Sequence, residues 1–205
     1  MLNNKPNNSH LNDRLVFIQE MLKHPFQIGS IIPSSRFLER RIVVAAEVAS
    51  ADVIVELGPG TGGTTRAILR EMPQQAKLLS IEINPHFHSM VSGIEDKRLI
   101  AHLGSACELE EIIAAYELDA PNAIISGIPF STMSRSVGSQ ILEAVSSSLA
   151  CHGRFVAYQV SNRVATLCQP FFGKGRAEME LFNIPPMRIF EWDKPNASQS
   201  KPIEA

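Results

Sequence analysis

Val53-Ile-Val-Glu-Leu-Gly-Pro-Gly-Thr-Gly-Gly63 is the stretch whose reading decides the fold. A five-residue apolar run interrupted by one carboxylate, Glu56, leads into a turn with four glycines in six residues, and a helical pattern follows to about residue 71. A strand entering a helix through such a turn is half of a β-α-β unit. Working outward, residues 78–83, 99–103, 123–126 and 154–158 are further short apolar runs. Helical patterns at about 86–93, 108–116 and 135–149 separate them, the last with Val137, Ile141, Val145 and Leu149 on one stripe. Strict alternation of this kind predicts a parallel sheet covered by helices on both faces. Residues 178–183 and 187–192 flank Ile184-Pro-Pro186 and read as two strands joined by a turn, which adds an antiparallel pair at one edge.

The segments before the glycine loop are helical. Leu11, Leu15, Ile18 and Leu22 recur at amphipathic spacing until Pro25, and Ser34 or Ser35 caps a second helix running to about Ala49 with Phe37, Leu38, Ile42, Ala45 and Val48 on one face. The predicted organisation is a flexible start at 1–10, one domain over 11–193 with 11–50 as a helical cap, and a disordered polar tail at 194–205.

Composition narrows the function classes. The 205 residues carry 19 Lys+Arg against 21 Asp+Glu, a formal charge of −2, so no global positive field exists to gather nucleic acid. The longest unbroken apolar runs, 42–46 and 112–116, have five residues, far short of the roughly 20 that cross a bilayer. Three widely spaced cysteines (Cys107, Cys151, Cys168) and the absence of an apolar leader in the first ten residues fit a reduced, cytoplasmic protein whose thiols are small buried hydrophobes. His86 and His88 have no partner at metal-ligand spacing and read as surface residues, so no metal site is expected.

The glycine loop requires a ligand choice. Gly58, Gly60 and Gly63 match the dinucleotide pattern, and Glu82 follows Gly58 by 24 residues at the end of the second strand, where a ribose hydroxyl partner belongs. No Gly-Lys-Ser/Thr follows, which excludes a P-loop. Glu56 decides between the remaining cofactors, because its carboxylate is expected to face the charged group in the loop. A pyrophosphate is repelled there, whereas the ammonium and sulfonium of S-adenosylmethionine are attracted. Unit charges about 4 Å apart at an effective dielectric of about 20 interact by roughly 4 kcal/mol, with opposite sign for the two ligands. S-adenosylmethionine is therefore the expected cofactor, with S-adenosylhomocysteine as product.

Glu56-Leu-Gly-Pro-Gly-Thr-Gly62 also resembles the first motif of class I methyltransferases. The resemblance implies a Rossmann-like α/β fold with a mostly parallel seven-stranded sheet. It also implies that Glu56 holds the amino end of the cofactor, that Gly58, Pro59, Gly60, Thr61 and Gly62 pass close to it, and that Glu82 binds its ribose. Further contacts are implied at Gln27, Ile83, Ser105, Ala106 and Ser126. Ser105 stands where the family places an acidic adenine partner.

Ser126-Gly-Ile-Pro-Phe130 resembles the Asn/Asp-Pro-Pro-Tyr loop of amino-group methyltransferases, with Ser126-Gly127 replacing the Asn or Asp. Residues 17–35 and Asn183-Ile-Pro-Pro-Met-Arg-Ile-Phe190 look like the bacterial phospholipid N-methyltransferase family, which converts phosphatidylethanolamine stepwise to phosphatidylcholine. The rRNA adenine dimethyltransferases, with their own Gln-containing pre-loop segment, are similar in the same way. Candidate catalytic groups are the Ser126 hydroxyl and Gly127 carbonyl as amine acceptors, Phe130 as a cation–π partner for the methylated headgroup, and Tyr158 as a further hydroxyl. A phospholipid or other amine is the expected partner, with transient membrane-surface contact on the inner face and no nucleic acid. Contact elements would be the helix at 11–23, the loop at 161–176 with its Phe-Phe pair, or the Arg36, Arg40 and Arg41 cluster. The competing readings are an RNA adenine or small-molecule amine methyltransferase, and a cofactor-binding remnant kept as an interaction module. The sequence leaves oligomeric state open.

Overall fold

The computed structural model describes residues 34–194; Gln27, the helix expected at 11–23 and the tail from 195 lie outside them. Seven strands, β1 (Val53–Leu57), β2 (Lys77–Glu82), β3 (Leu99–Leu103), β4 (Ala123–Ser126), β5 (Arg154–Gln159), β6 (Arg176–Glu180) and β7 (Met187–Asp193), form one sheet in the order β3-β2-β1-β4-β5-β7-β6. Strands β1 to β5 pair in parallel, while β7 runs antiparallel to both β5 and β6. The described helices are α1 (Arg36–Ala45), α2 (Gly63–Glu71), α3 (Pro85–Ser92), α4 (Leu109–Ala115), α5 (Arg135–Ser148) and α6 (Arg163–Phe172). The Rossmann-like architecture anticipated from the alternating pattern, including the antiparallel edge hairpin, is the observed one.

Every residue of β1 and β4 is buried, as strands covered on both faces must be. One side of the sheet packs Ile54, Leu78, Ile125 and Val156 against Leu38, Ile42 and Ile68 from α1 and α2. On the hairpin side, Phe155 stacks on both Phe172 and Trp192, with ring centroids 5.6 and 5.4 Å away, and those two rings also meet at 6.4 Å. Asn122 aligns β1 with β4: its Oδ1 accepts from the backbone N–H groups of Asp52 and Val53 at 2.9 and 3.0 Å. Asn122→Ala leaves both donors without that acceptor and is expected to cost about 1 kcal/mol in denaturant unfolding.

Several local expectations change. Residues 163–172, read as part of a loop, form α6, with Val164, Leu167, Cys168 and Phe172 on its buried side. Pro170 obscured that stripe: it has no N–H to donate to the carbonyl one turn back, yet the helix runs only two residues beyond it, to Phe172. Helix α1 is capped by Ser35 as expected, yet it stops at Ala45 rather than 49, because Glu47 turns left-handed (φ 50°) into a short 3₁₀ turn. Phe37, assigned to its buried face, is exposed. Strand β6 spans 176–180 rather than 178–183. Of the cysteines only Cys168 is buried; Cys151 is exposed and Cys107 intermediate, so the expectation of three buried thiols fails for two of them.

Candidate active site

Strand β1 sits between β2 and β4, so the chain order reverses at its carboxyl end, and open α/β sheets bind ligands in the crevice at such a switch point. The glycine loop leaves β1 there. Gly58, Gly60 and Gly62 have φ of 70°, 56° and 82°, the left-handed region that other residues enter only under strain. Gly62 caps α2, whose first-turn N–H groups face the loop. Three of the glycines are thus required by backbone geometry alone. At Gly63 an added Cβ would lie 2.9 Å from Oε1 of Glu39, the movable end of that side chain.

Two carboxylates stand at this edge. Glu82 ends β2 and is nearly fully buried; its Oε2 accepts from the Gly60 N–H at 3.2 Å and its Oε1 from the Asn84 N–H at 2.9 Å. Burial raises its pKa, against the lowering effect of those backbone donors. Glu82 and the glycine loop, 22 residues apart in sequence at this contact, are therefore tied together directly. Glu56 is placed differently from expectation. It is fully buried beneath the loop, where Thr65 of α2 and Ser80 of β2 both donate hydroxyls to its Oε2, at 2.7 and 3.0 Å. Its Oε1 is buried with no hydrogen-bond partner among the described residues. Burial pushes its pKa up to about 7; the two hydroxyls oppose the rise and the Glu82 charge adds to it. A buried acceptor with one oxygen unpaired, held half-ionised near neutral pH, is a site that a nearby cation stabilises.

The loop after β4 meets the glycine loop. Leu57 and Ser126 are register partners, and the Gly127 N–H donates to the Leu57 carbonyl at 2.9 Å. A Cβ built on Gly58 would lie 3.1 Å from Ile128 Cγ1, and one on Gly127 would lie 2.4 Å from Tyr158 Oη and 2.7 Å from the Gly58 carbonyl oxygen. Ser126, Gly127, Gly58 and Tyr158 thus converge. The Ser126 hydroxyl is buried and accepts from the Ile128 N–H at 3.3 Å, so it shapes its own loop.

Two aromatic expectations change in character. Phe130 is fully buried, on the side of the loop that meets Gly138 of α5, and the ring has no open face to offer a methylated headgroup. Tyr158 is buried and accepts from the Thr64 hydroxyl at 3.3 Å; burial first, and then the Glu56 charge, drive its pKa far upward. It stays protonated at neutral pH and is therefore no base.

Ser105, at the end of β3, accepts from the Cys107 N–H at 3.2 Å and starts a short 3₁₀ turn whose first residue is the buried Ala106. Ile83, Pro59 and Thr61 lie in the loops at the same edge. His88 Nε2 lies 3.4 Å from the Ala101 carbonyl oxygen. Gln159, which sequence reasoning passed over, ends β5: its Nε2 donates to the Ile128 carbonyl at 2.7 Å while its Oε1 is buried without a partner among the described residues. A lone amide closing an otherwise apolar strand was the only signal for it.

No model of a known protein family matches the chain. Ornithine lipid N-methyltransferase from Singulisphaera acidiphila is 26% identical over 147 residues, covering 71% of this chain and 77% of that protein. Ribosomal RNA small subunit methyltransferase A from Syntrophotalea carbinolica is 32% identical over 106 residues, but the match spans only 49% of this chain and 38% of that longer protein. The O-methyltransferase from Bacillus cereus, solved with S-adenosylhomocysteine, superposes with a TM-score of 0.62 at 13% identity, covering 92% of both chains. The chain is an S-adenosylmethionine-dependent methyltransferase with the Rossmann-like fold that class I methyltransferases share. The structural likeness carries the fold, and the sequence relatives carry the chemistry. The residues present fit the cofactor of such a methyltransferase: the unpaired Glu56 Oε1 suits a cation, and Glu82 suits a hydroxyl pair.

Proposed function

We propose that this methyltransferase transfers methyl groups to a lipid amine, that of phosphatidylethanolamine and its methylated derivatives, in the direction of phosphatidylcholine. The observation that carries this reading is the breadth of similarity to ornithine lipid N-methyltransferase, over 71% of this chain and 77% of that protein, whereas the rRNA enzyme is matched over 38% of its length. A net charge of −2 favours the same choice, since RNA enzymes draw affinity from a basic surface. Among the described residues no helix is long and apolar enough to cross a membrane, which fits an enzyme that visits its lipid from one side.

S-adenosylmethionine supplies an electrophilic methyl on a sulfonium. The chain orients the groups around it. Glu56 would contribute negative charge from beneath the glycine loop, Glu82 would offer acceptor capacity to ribose hydroxyls, and the backbone of residues 58–62 would line the cofactor. Ser105 and Ala106, with Ile83, would border the adenine. At the acceptor, the Gly127 carbonyl holds the amine in its neutral form with the lone pair aimed inward, and the buried Ser126 hydroxyl, bonded to the Ile128 N–H, holds that loop in place; this ordering is where the rate enhancement arises. Proton removal falls to solvent, because Tyr158 is held protonated. Tyr158→Phe is accordingly expected to leave the pH dependence of turnover unchanged and to lower its rate by less than about tenfold.

Incubation with a methyl-labelled donor and three acceptors, phosphatidylethanolamine vesicles, ribosomal RNA and free ethanolamine, tests the assignment. Label in the lipid fraction is expected. Label confined to RNA or to the free amine would overturn the lipid reading.

A further inference from the structure

The register of the edge hairpin places its turn beside the active site. Gln159 at the end of β5 pairs with Arg188, and Met187 pairs with Glu180, so residues 181–186 emerge at the carboxyl edge of the sheet, the edge that carries the glycine loop. This turn holds the three most exposed large apolar side chains among the described residues: Leu181 at 69%, Phe182 at 74% and Ile184 at 79%. The start of α1 joins it. The Ser35 N–H donates to Asn183 Oδ1 at 2.9 Å, and the exposed Phe37 ring lies 5.3 Å from that of Phe182. An exposed apolar cluster of this kind is not explained by packing of the fold, since none of the four side chains enters the core.

The charges behind the cluster identify what covers it. Arg36 and Arg40 are exposed on α1, and neither pairs with a carboxylate among the described residues. The acidic groups nearby are already engaged: Arg41 holds both Glu178 and Glu180 of β6, and Glu39, which also feels the Arg36 charge, pairs with Arg70 at 3.4 Å. The surface therefore presents apolar tips together with two guanidinium groups on α1 that make no ion pair among the described residues. A bilayer offers the complementary layering, acyl boundary first and phosphate behind it, while a purely apolar protein patch would leave the arginines unused.

We propose that Phe37, Leu181, Phe182 and Ile184 form a membrane-docking lip. They enter the headgroup region of an anionic bilayer while Arg36 and Arg40 meet lipid phosphates, which presents the carboxyl edge of the sheet to the lipid surface. The proposal rests on the lipid-amine reading of the site, and it makes this lip the point where a lipid acceptor arrives.

Flotation of the full chain with phosphatidylcholine vesicles, with and without phosphatidylglycerol, tests it. Three proteins are compared: the wild type, Phe182→Ser/Ile184→Ser, and Arg36→Gln/Arg40→Gln. All substituted positions are exposed, and S-adenosylmethionine binding checks that each variant is folded. The wild type is expected to float with the anionic vesicles, and each variant to bind them at least tenfold more weakly. Methyl transfer to vesicle-borne amine should fall in parallel, while transfer to a monomeric short-chain lipid acceptor stays unchanged. Variants that float like the wild type, or a wild type that floats with neither vesicle, would overturn the lip. So would a vesicle-free dimer of the wild type that both variants abolish, since the lip would then be a contact between copies. If wild type floats and the variants do not, yet no lipid is methylated, the lip stands and the acceptor assignment fails. If lipid is methylated equally by all three, the acceptor stands and the lip fails.

Discussion

Glu56→Gln is expected to weaken S-adenosylmethionine binding about a hundredfold, a loss of about 3 kcal/mol, with the fold intact. The amide keeps the shape of the side chain and can still accept from Thr65 and Ser80, the two hydroxyls that hold Oε2. What it removes is the charge, and a cationic ligand above the loop loses its attraction to a carboxylate that no solvent screens. The same variant has a second signature in the ligand-free protein. Because burial raises the Glu56 pKa from 4.5 to about 7, the folded state holds its proton more tightly than the unfolded chain does. Its stability contribution is full below about pH 4.5 and is lost as pH rises towards 7, by about 3 kcal/mol. Denaturant unfolding across this range should show the decline in the wild type and a flatter profile in Glu56→Gln. A variant with wild-type affinity would remove Glu56 from the cofactor site.

Gly127→Ala is expected to lower the rate of methyl transfer about a hundredfold and to destabilise the fold by about 1–3 kcal/mol. The added methyl would lie 2.4 Å from the Tyr158 hydroxyl and 2.7 Å from the Gly58 carbonyl oxygen, and the second neighbour is backbone that cannot swing away. The loop after β4 must then lift from the glycine loop. A displacement of about 1 Å at an acceptor loop costs on the order of a hundredfold in rate. Adding Tyr158→Phe removes the hydroxyl clash but leaves the Gly58 carbonyl in place, so the double variant should regain part of the stability and little of the activity. Thermal unfolding and turnover, measured on the same preparations, separate the two effects. Turnover within twofold of wild type would show that the two loops need not touch.

The sheet was readable from the sequence because its signals are local. Each parallel strand is a short apolar run, each crossover helix carries its own stripe, and the glycine loop declares the first β-α junction. Glu82 was readable for the same reason, since its place at a strand end follows from spacing alone. What stayed hidden depends on which face a side chain takes after the chain packs. Nothing in Ser126-Gly-Ile-Pro-Phe130 says that the ring turns inward to Gly138, and nothing around Glu56 says that Thr65 and Ser80 will close over one of its oxygens. Helix α6 was concealed by Pro170, a residue that breaks helices in general but sits here in the last turn. The exposure of Phe37 is likewise tertiary: it belongs to an amphipathic pattern, yet its neighbour is Phe182, 145 residues on, at the surface.

The most direct test of the charge account is a calorimetric titration of the full chain with S-adenosylmethionine between pH 5.5 and 7, in buffers of different ionisation enthalpy. The ligand ammonium keeps its charge over this range, so changes in affinity report on the protein. A cation placed near Glu56 favours the carboxylate and expels its proton. Affinity should therefore rise about tenfold or more from pH 5.5 to 7, with close to one proton released per ligand bound at the acid end, and both effects should vanish in Glu56→Gln. Binding without proton release, at an affinity independent of pH and of Glu56, would contradict the account.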